Sequence, residues 1–248
     1  MKLSILIPTI EENNKYLLAC IRSIQKNSIN HHQICVHIDS VYCPNTEWLL
    51  DHEKIDYSHD RWQGMATAFN KCFELAENDW LFFANDDFYF GPAWDEILMF
   101  YLLSNKRRVV SVLPVQPTPS PPIYDCGRTI ETFDQAKFNR YVLMQPKKEI
   151  VPTIRPSTFW CAMHRDVFEK IGKFDEQFNP KSCADIDLQY RLLQANVELI
   201  TVPDIYIYHF QKKATEKLGE LPNNADKFEK KWNKSVEEVQ KLFGWVDP

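Results

Sequence analysis

Three polar residues in a row, Asn85, Asp86 and Asp87, follow the apolar run Trp80 to Ala84. The run reads as a buried strand. It places the three at a carboxyl end, where open α/β sheets receive ligands. Two adjacent carboxylates at the edge of a core repel one another and lose hydration unless a cation or solvent compensates. A hard divalent ion takes oxygen ligands and bridges to phosphate, so the triplet can be a metal–diphosphate site; a solvated turn is the other reading. Side chains alternate along a strand, so if the strand continues, Asn85 and Asp87 share a face and Asp86 points away. Asp87 is then the first metal ligand, and Asp86 a partner for ribose or sugar hydroxyls.

Further groups fall at comparable places. Asp39 closes the alternating run Ile34, Val36, Ile38, where it either forms a turn with Ser40 or accepts from a base N–H or a ribose hydroxyl of a nucleotide. Asp185 and Asp187 open a helix; they either cap it, with Ser182 at capping-box spacing from Asp185, or include a general base for an acceptor hydroxyl. His209, in Tyr-Ile-Tyr-His-Phe, is a structural group or a nitrogen ligand to the metal on Asp87. Trp160 can stack on a sugar ring or fill core. His31 and His32 read as solvated loop residues.

The elements that must carry these groups alternate. Leu3 to Ile7 reads as a strand stopped by Pro8, Asn14 to Gln25 as a helix, and Ile34 to Asp39 as a second strand. Gly64 opens a helix with Met65, Phe69, Cys72, Phe73 and Ala76 on one face. Then come the strand at 80–84, a helix from Ala93 to Leu103 and a strand from Val109 to Leu113. This order predicts an α/β fold, a mostly parallel sheet with flanking crossover helices. The stretch from Pro114 is irregular, with five prolines by Pro122, and reads as a binding loop. Helices at Asp166–Ile171 and Ile186–Ala195 and strands at Glu198–Val202 and Ile205–Phe210 follow. A last helix near Ser235 to Phe243 opens on a capping box, Ser235 with Glu238. The reading is one domain over 1–248, with a donor half at about 1–113, an acceptor half at 114–210 and a charged tail at 211–248.

Composition excludes several classes. The 248 residues carry 44% hydrophobic and 25% charged residues, ordinary for a globular chain, and a net charge of -5, which argues against nucleic-acid binding. The amino terminus turns polar too soon for a signal peptide, and Ile97 to Leu103 is far too short to span a membrane. Seven cysteines are odd in number and hold no Cys-x-x-Cys. That speaks against the usual zinc spacings and a disulfide framework, and for reduced thiols in the cytoplasm.

Together these residues resemble the family 2 glycosyltransferases of GT-A fold, from about residue 2 to residue 210. Ser4 to Glu11 is similar to that family's opening strand and donor loop, Asp39 to its base-recognising Asp, and Gly64-x-x-x-Ala-x-Asn70 to its glycine-to-asparagine helix motif. Asn85-Asp86-Asp87 resembles its Asp-x-Asp motif, and Phe168 to Asp175 its acceptor-side segment. Asp185-Ile-Asp-Leu-x-x-Arg191 is similar to the motif bearing the catalytic base, and Val202 to Asp204 with Tyr208 and His209 to the closing segment. Asn85 replaces an Asp, Glu11 stands where Asn is common, and Ala184 where an acidic residue often precedes the base.

The resemblance implies inverting transfer from a nucleoside diphosphate sugar (UDP-, GDP- or dTDP-linked) to a glycan, lipid-linked or protein acceptor. Pro8, Thr9, Glu11, Asp39, Gly64, Asn70, Asn85 and Asp86 would bind the donor. Asp87 and His209 would hold Mn²⁺ or Mg²⁺, Asp185 would act as base with Asp187 beside it, and Trp160, the 158–161 stretch and the 114–122 segment would shape the acceptor side. Trp232, Phe243 and Trp245 in the Lys-bearing tail could touch a membrane surface from its cytoplasmic side. Two rivals remain. One is a non-catalytic nucleotide-sugar or glycan binder of the same fold. The other, a sugar nucleotidyltransferase, needs a Gly-rich basic loop that Pro8 to Asn14 lacks.

Overall fold

The computed structural model describes residues 1–117, 123–145, 160–180, 182–211 and 224–244. Its strands and helices run β1 (Leu3–Thr9), α1 (Asn14–Asn27), β2 (Gln33–Asp39), α2 (Pro44–Glu53), β3 (Asp56–Asp60), α3 (Met65–Leu75), β4 (Trp80–Phe83), β5 (Phe88–Phe90), α4 (Trp94–Ser104) and β6 (Arg108–Val112). They continue with α5 (Gln135–Met144), β7 (Cys161–His164), α6 (Arg165–Lys170), α7 (Ala184–Gln194), β8 (Glu198–Val202), β9 (Ile207–His209), α8 (Ala225–Trp232) and α9 (Val236–Leu242). Seven strands form one sheet in the order β3-β2-β1-β4-β7-β6-β8. All neighbours are parallel except β7, which runs antiparallel to both β4 and β6. The mostly parallel α/β sheet is the predicted class. No helix among the described residues is long and apolar enough to cross a membrane.

Burial follows from the alternation along β1. Leu3, Ile5 and Ile7 face α1, α2 and α4, whereas Leu6 faces the layer of α3, α6 and α7, which packs with Phe69, Phe83 and Phe168. A third cluster of aromatics, Tyr89, Phe138, Tyr208 and Phe210 among them, joins α5 to the small β5–β9 ribbon. The tail helices close the second layer: Phe228, Val239 and Phe243 are buried, and the box of Ser235 with Glu238 is present at α9. Two of the aromatics considered for a membrane contact, Trp232 and Phe243, therefore pack against the protein's own core. Trp245 lies outside the described residues.

Several elements depart from expectation. Pro8 does not end β1, which runs on to Thr9 beside His37 and Ile38. Pairing with β4 stops at Leu6, so the missing N–H falls where the strand is flanked on one side only. The last predicted strand shortens to Ile207–His209 and leaves the main sheet to pair with β5. Six of these strands and helices went unpredicted: α2, β3, β5, α5, β7 and α8. In α5 only Phe138 is buried, so no apolar stripe marks it. In β7 four residues are too few for a period. Pro44 opens α2, and β3 is a polar edge strand, Asp-Tyr-Ser-His-Asp. The 118–122 part of the proline-rich segment and residues 158 and 159 lie outside the described residues.

His32 corrects another expectation. Its side chain is fully buried, with Nδ1 accepting from the Leu3 amide at 3.2 Å and Nε2 lying 3.0 Å from Asp95. Asp95 also accepts from the amides of Ile29 and Asn30 and from the Asn30 side chain, at 2.9–3.0 Å. Burial pushes its carboxyl upward, yet His32 and these donors prevail and hold it well below the usual range. Asp95→Ala strands four donors in a dry site, and urea unfolding is expected to show a loss of about 3–5 kcal/mol. Because the folded pKa is depressed, this stability is present above the ordinary carboxylate pKa and lost as pH falls through the folded value.

Candidate active site

The carboxyl ends of β1, β2 and β4 meet in one cavity, walled by Pro8, Thr9, Ile10, Asn13, Asp39, Trp62, Gly64, Met65, Ala68, Asp86 and Pro180. Parallel neighbours end on the same edge, so Thr9, Asp39 and Asp86 converge although they are distant in sequence. Both oxygens of Asp39 accept from backbone, from Gln63 at 2.7 Å and Gly64 at 2.9 Å, and burial raises its pKa. Asp86 Oδ2 accepts from Thr9 Oγ1 at 2.6 Å and Asn13 Nδ2 at 3.0 Å. Burial first, and the charge of Asp87 second, push the Asp86 carboxyl up.

Gly64 is required by space as well as by conformation. Its φ is +109°, and an added Cβ would lie 2.5 Å from Pro180 Cα. Gly64→Ala is expected to cost about 1–3 kcal/mol of stability by urea unfolding. It should also disturb Asp39, because the amide of residue 64 holds that carboxylate.

Asp87 faces a different direction. The β5–β9 ribbon pairs Phe88 with His209, which brings His209 Nε2 to 3.4 Å from Asp87 Oδ2. Gln116 Oε1 lies 3.1 Å from His209 Nδ1 and also accepts from Gln211 Nε2 at 2.8 Å. With Gln116 as acceptor, Nδ1 carries the proton and Nε2 turns its lone pair toward the carboxylate. Two electron-rich groups at that distance fit a shared divalent cation. The ring edge of Trp160 packs on His209 with centroids 5.3 Å apart, and its buried Nε1 has no partner among the described residues.

Other expected donor contacts have local partners instead. Glu11 accepts from the amides and side chains of Asn45 and Thr46 and so caps α2. Burial raises its pKa, but these four bonds outweigh it and the net shift is downward. Asn70 bridges α3 to the distant segment after α6, through Phe174 and Glu176, at 2.8–3.1 Å. Asn85 is half-buried at the end of β4. The sequence reading missed Asn13, Trp62, Pro180 and Gln116. Asn13 lies just past the predicted donor loop, which was read as ending at Glu11.

The two acidic groups of α7 part company. Asp185 is half-buried and lines a second cavity with Ser182, Cys183, Gln189 and Gln240. The cap is Cys183 with no side-chain bond, so the capping box expected of Ser182 does not form. Burial raises the Asp185 pKa. Pro180 belongs to the wall of the first cavity and Ser182 to that of the second. Asp187, two residues on and fully buried, accepts from Arg191 at 2.8 Å, Lys231 at 2.6 Å and Trp232 at 2.8 Å. It anchors α8 to α7 rather than standing beside Asp185.

Comparison with known proteins gives the same outline. Among curated proteins nothing matches. The fold is similar to that of GalNAc-T7 in a structure with UDP, GalNAc and Mn²⁺, with a TM-score of 0.68, 14% identity and coverage of 97% of this chain and 56% of that one. It is similar to TarS of S. aureus in complex with UDP, with a TM-score of 0.62, 15% identity and coverage of 98% and 64%. It also resembles the mannosyltransferase PcManGT of Pyrobaculum calidifontis in complex with GDP-Man and Mn²⁺, with a TM-score of 0.58, 15% identity and coverage of 86% and 57%. The chain thus spans between about half and two thirds of these three neighbours. All are glycosyltransferases of GT-A fold. The glycosyl transferase family 2 model matches residues 4–172, ending before Asp185 and His209, and over that span it shows that the chain belongs to this family.

Proposed function

We propose that this protein transfers a sugar from a nucleoside diphosphate donor to a hydroxyl acceptor, with inversion at the anomeric carbon. One observation carries the reading. Asp39 and Asp86 share a cavity at the strand ends, and the next residue, Asp87, faces His209. In this scheme Asp39 accepts from a base N–H, and Asp86, set by Thr9 and Asn13, takes ribose hydroxyls. Asp87 and His209 hold Mn²⁺ or Mg²⁺, and the ion, when bound, neutralises charge that develops on the leaving diphosphate. Asp185 removes the acceptor proton, its raised pKa bringing it closer to that of a working base. Trp160 offers its ring and N–H to the sugar. UDP and GDP-mannose in the neighbours' structures support a nucleotide donor. The donor half at 1–113 and the acceptor half at 114–210 interlock, since Pro180 walls the donor cavity and β9 pairs with β5.

The test is thermal stability against UDP, GDP, dTDP and CDP, each with and without Mn²⁺. One nucleotide is expected to stabilise by roughly 2–4 kcal/mol at 100–1,000 times its dissociation constant, and only with metal. No shift with any of the four would remove the metal–diphosphate site. Binding without transfer to any acceptor would favour the non-catalytic binder.

A further inference from the structure

Away from the Asp87–His209 pair, the fold gathers three metal-ligating side chains of different chemistry. Cys43 Sγ at the start of α2, a carboxylate oxygen of Glu47 one turn on, and a ring nitrogen of His59 on β3 all lie within 4.8 Å of one another. Glu47 Oε1 and His59 Nε2 are 3.3 Å apart. That is close to the roughly 3.3 Å edge of a tetrahedron whose Zn–N and Zn–O bonds are about 2.0–2.1 Å. Cys43 is buried at 1% exposure, while Glu47 and His59 are partly open, so an ion can enter from solvent and meet the sulfur beneath. From these positions we infer that Cys43, Glu47 and His59 form a second cation site, of zinc type, that clamps α2 to the edge strand β3.

The chemistry of the donor set separates it from the first site. Thiolate, imidazole and carboxylate together select zinc or cobalt over the hard ions that suit diphosphate. Burial raises the Cys43 pKa, and the carboxylates of Glu47 and Glu11 add to the effect. A bound cation reverses that balance and releases the thiol proton to solvent. The absence of Cys-x-x-Cys is no obstacle, because the ligands come from a helix start and the neighbouring strand. The clamp has a consequence for the cavity. His59 is followed by the loop that carries Trp62 and supplies the Gln63 and Gly64 amides to Asp39. The ion would fix this loop. That consequence rests on the transferase reading, but the site itself does not.

Cobalt titration of the full chain, freed of metal, tests the site directly. The expected result is a near-ultraviolet thiolate-to-cobalt charge-transfer band saturating at one ion per chain and displaced by Zn²⁺. The band should persist in Asp87→Ala and disappear in Cys43→Ser. In His59→Gln, a partly exposed position that leaves the core intact, affinity should fall by more than the roughly 10–100-fold typical of lost outer-shell partners. No band in the wild type, a band that survives Cys43→Ser, unchanged affinity in His59→Gln or a band lost in Asp87→Ala would each overturn the inference. If Cys43→Ser does not fold, His59→Gln decides.

Discussion

Asp185→Asn is expected to lower turnover roughly 10²–10⁴-fold, the range that general-base catalysis supplies, while nucleotide binding and folding are retained. Asp185 lines its own cavity and is absent from the donor wall, so its loss should not disturb the nucleotide. Asn is close in shape and cannot accept the proton. The pH profile adds a second readout. Burial raises the Asp185 pKa, and the base works only as carboxylate, so kcat/KM should rise with pH through a limb above the ordinary carboxylate value. That limb should vanish in Asp185→Asn. Turnover near the wild-type level in the variant would move the base to another group. Asp187 is a poor candidate for that role, because Arg191, Lys231 and Trp232 already donate to it.

Asp87→Ala is expected to abolish the metal-dependent part of nucleotide stabilisation. It removes the carboxylate that lies 3.4 Å from His209 Nε2. The loss in metal affinity should exceed the roughly 10–100-fold that outer-shell changes cost. Transfer should fall by several kcal/mol of transition-state stabilisation where metal neutralises the leaving diphosphate. Isothermal titration with Mn²⁺ and the preferred nucleotide measures the first effect, and initial rates measure the second. A variant that still needs Mn²⁺ for nucleotide binding, with unchanged affinity, would place the ion elsewhere.

The sequence alone determined the alternation of strands and helices and the placing of Asp39, Asp86 and Asp87 at strand ends. It also determined the α9 cap, since Ser235 and Glu238 act within one helical turn. These features are legible because burial imprints a local period and capping is a short-range bond. Weak periods hid α5, where only Phe138 is buried, and β7, whose four residues are all buried but too few to show a period. Partner choice was decided only in three dimensions. Glu11 meets α2, Asn70 meets residues 174 and 176, and Asp187 meets α8, all by contacts that no spacing announces. Gln116 reaches His209 because its neighbour Val115 pairs with Tyr208 on β9. Sequence pattern reports how deeply a residue is buried. Which group it meets there depends on strand order and on long connections, and these are fixed only when the whole core packs.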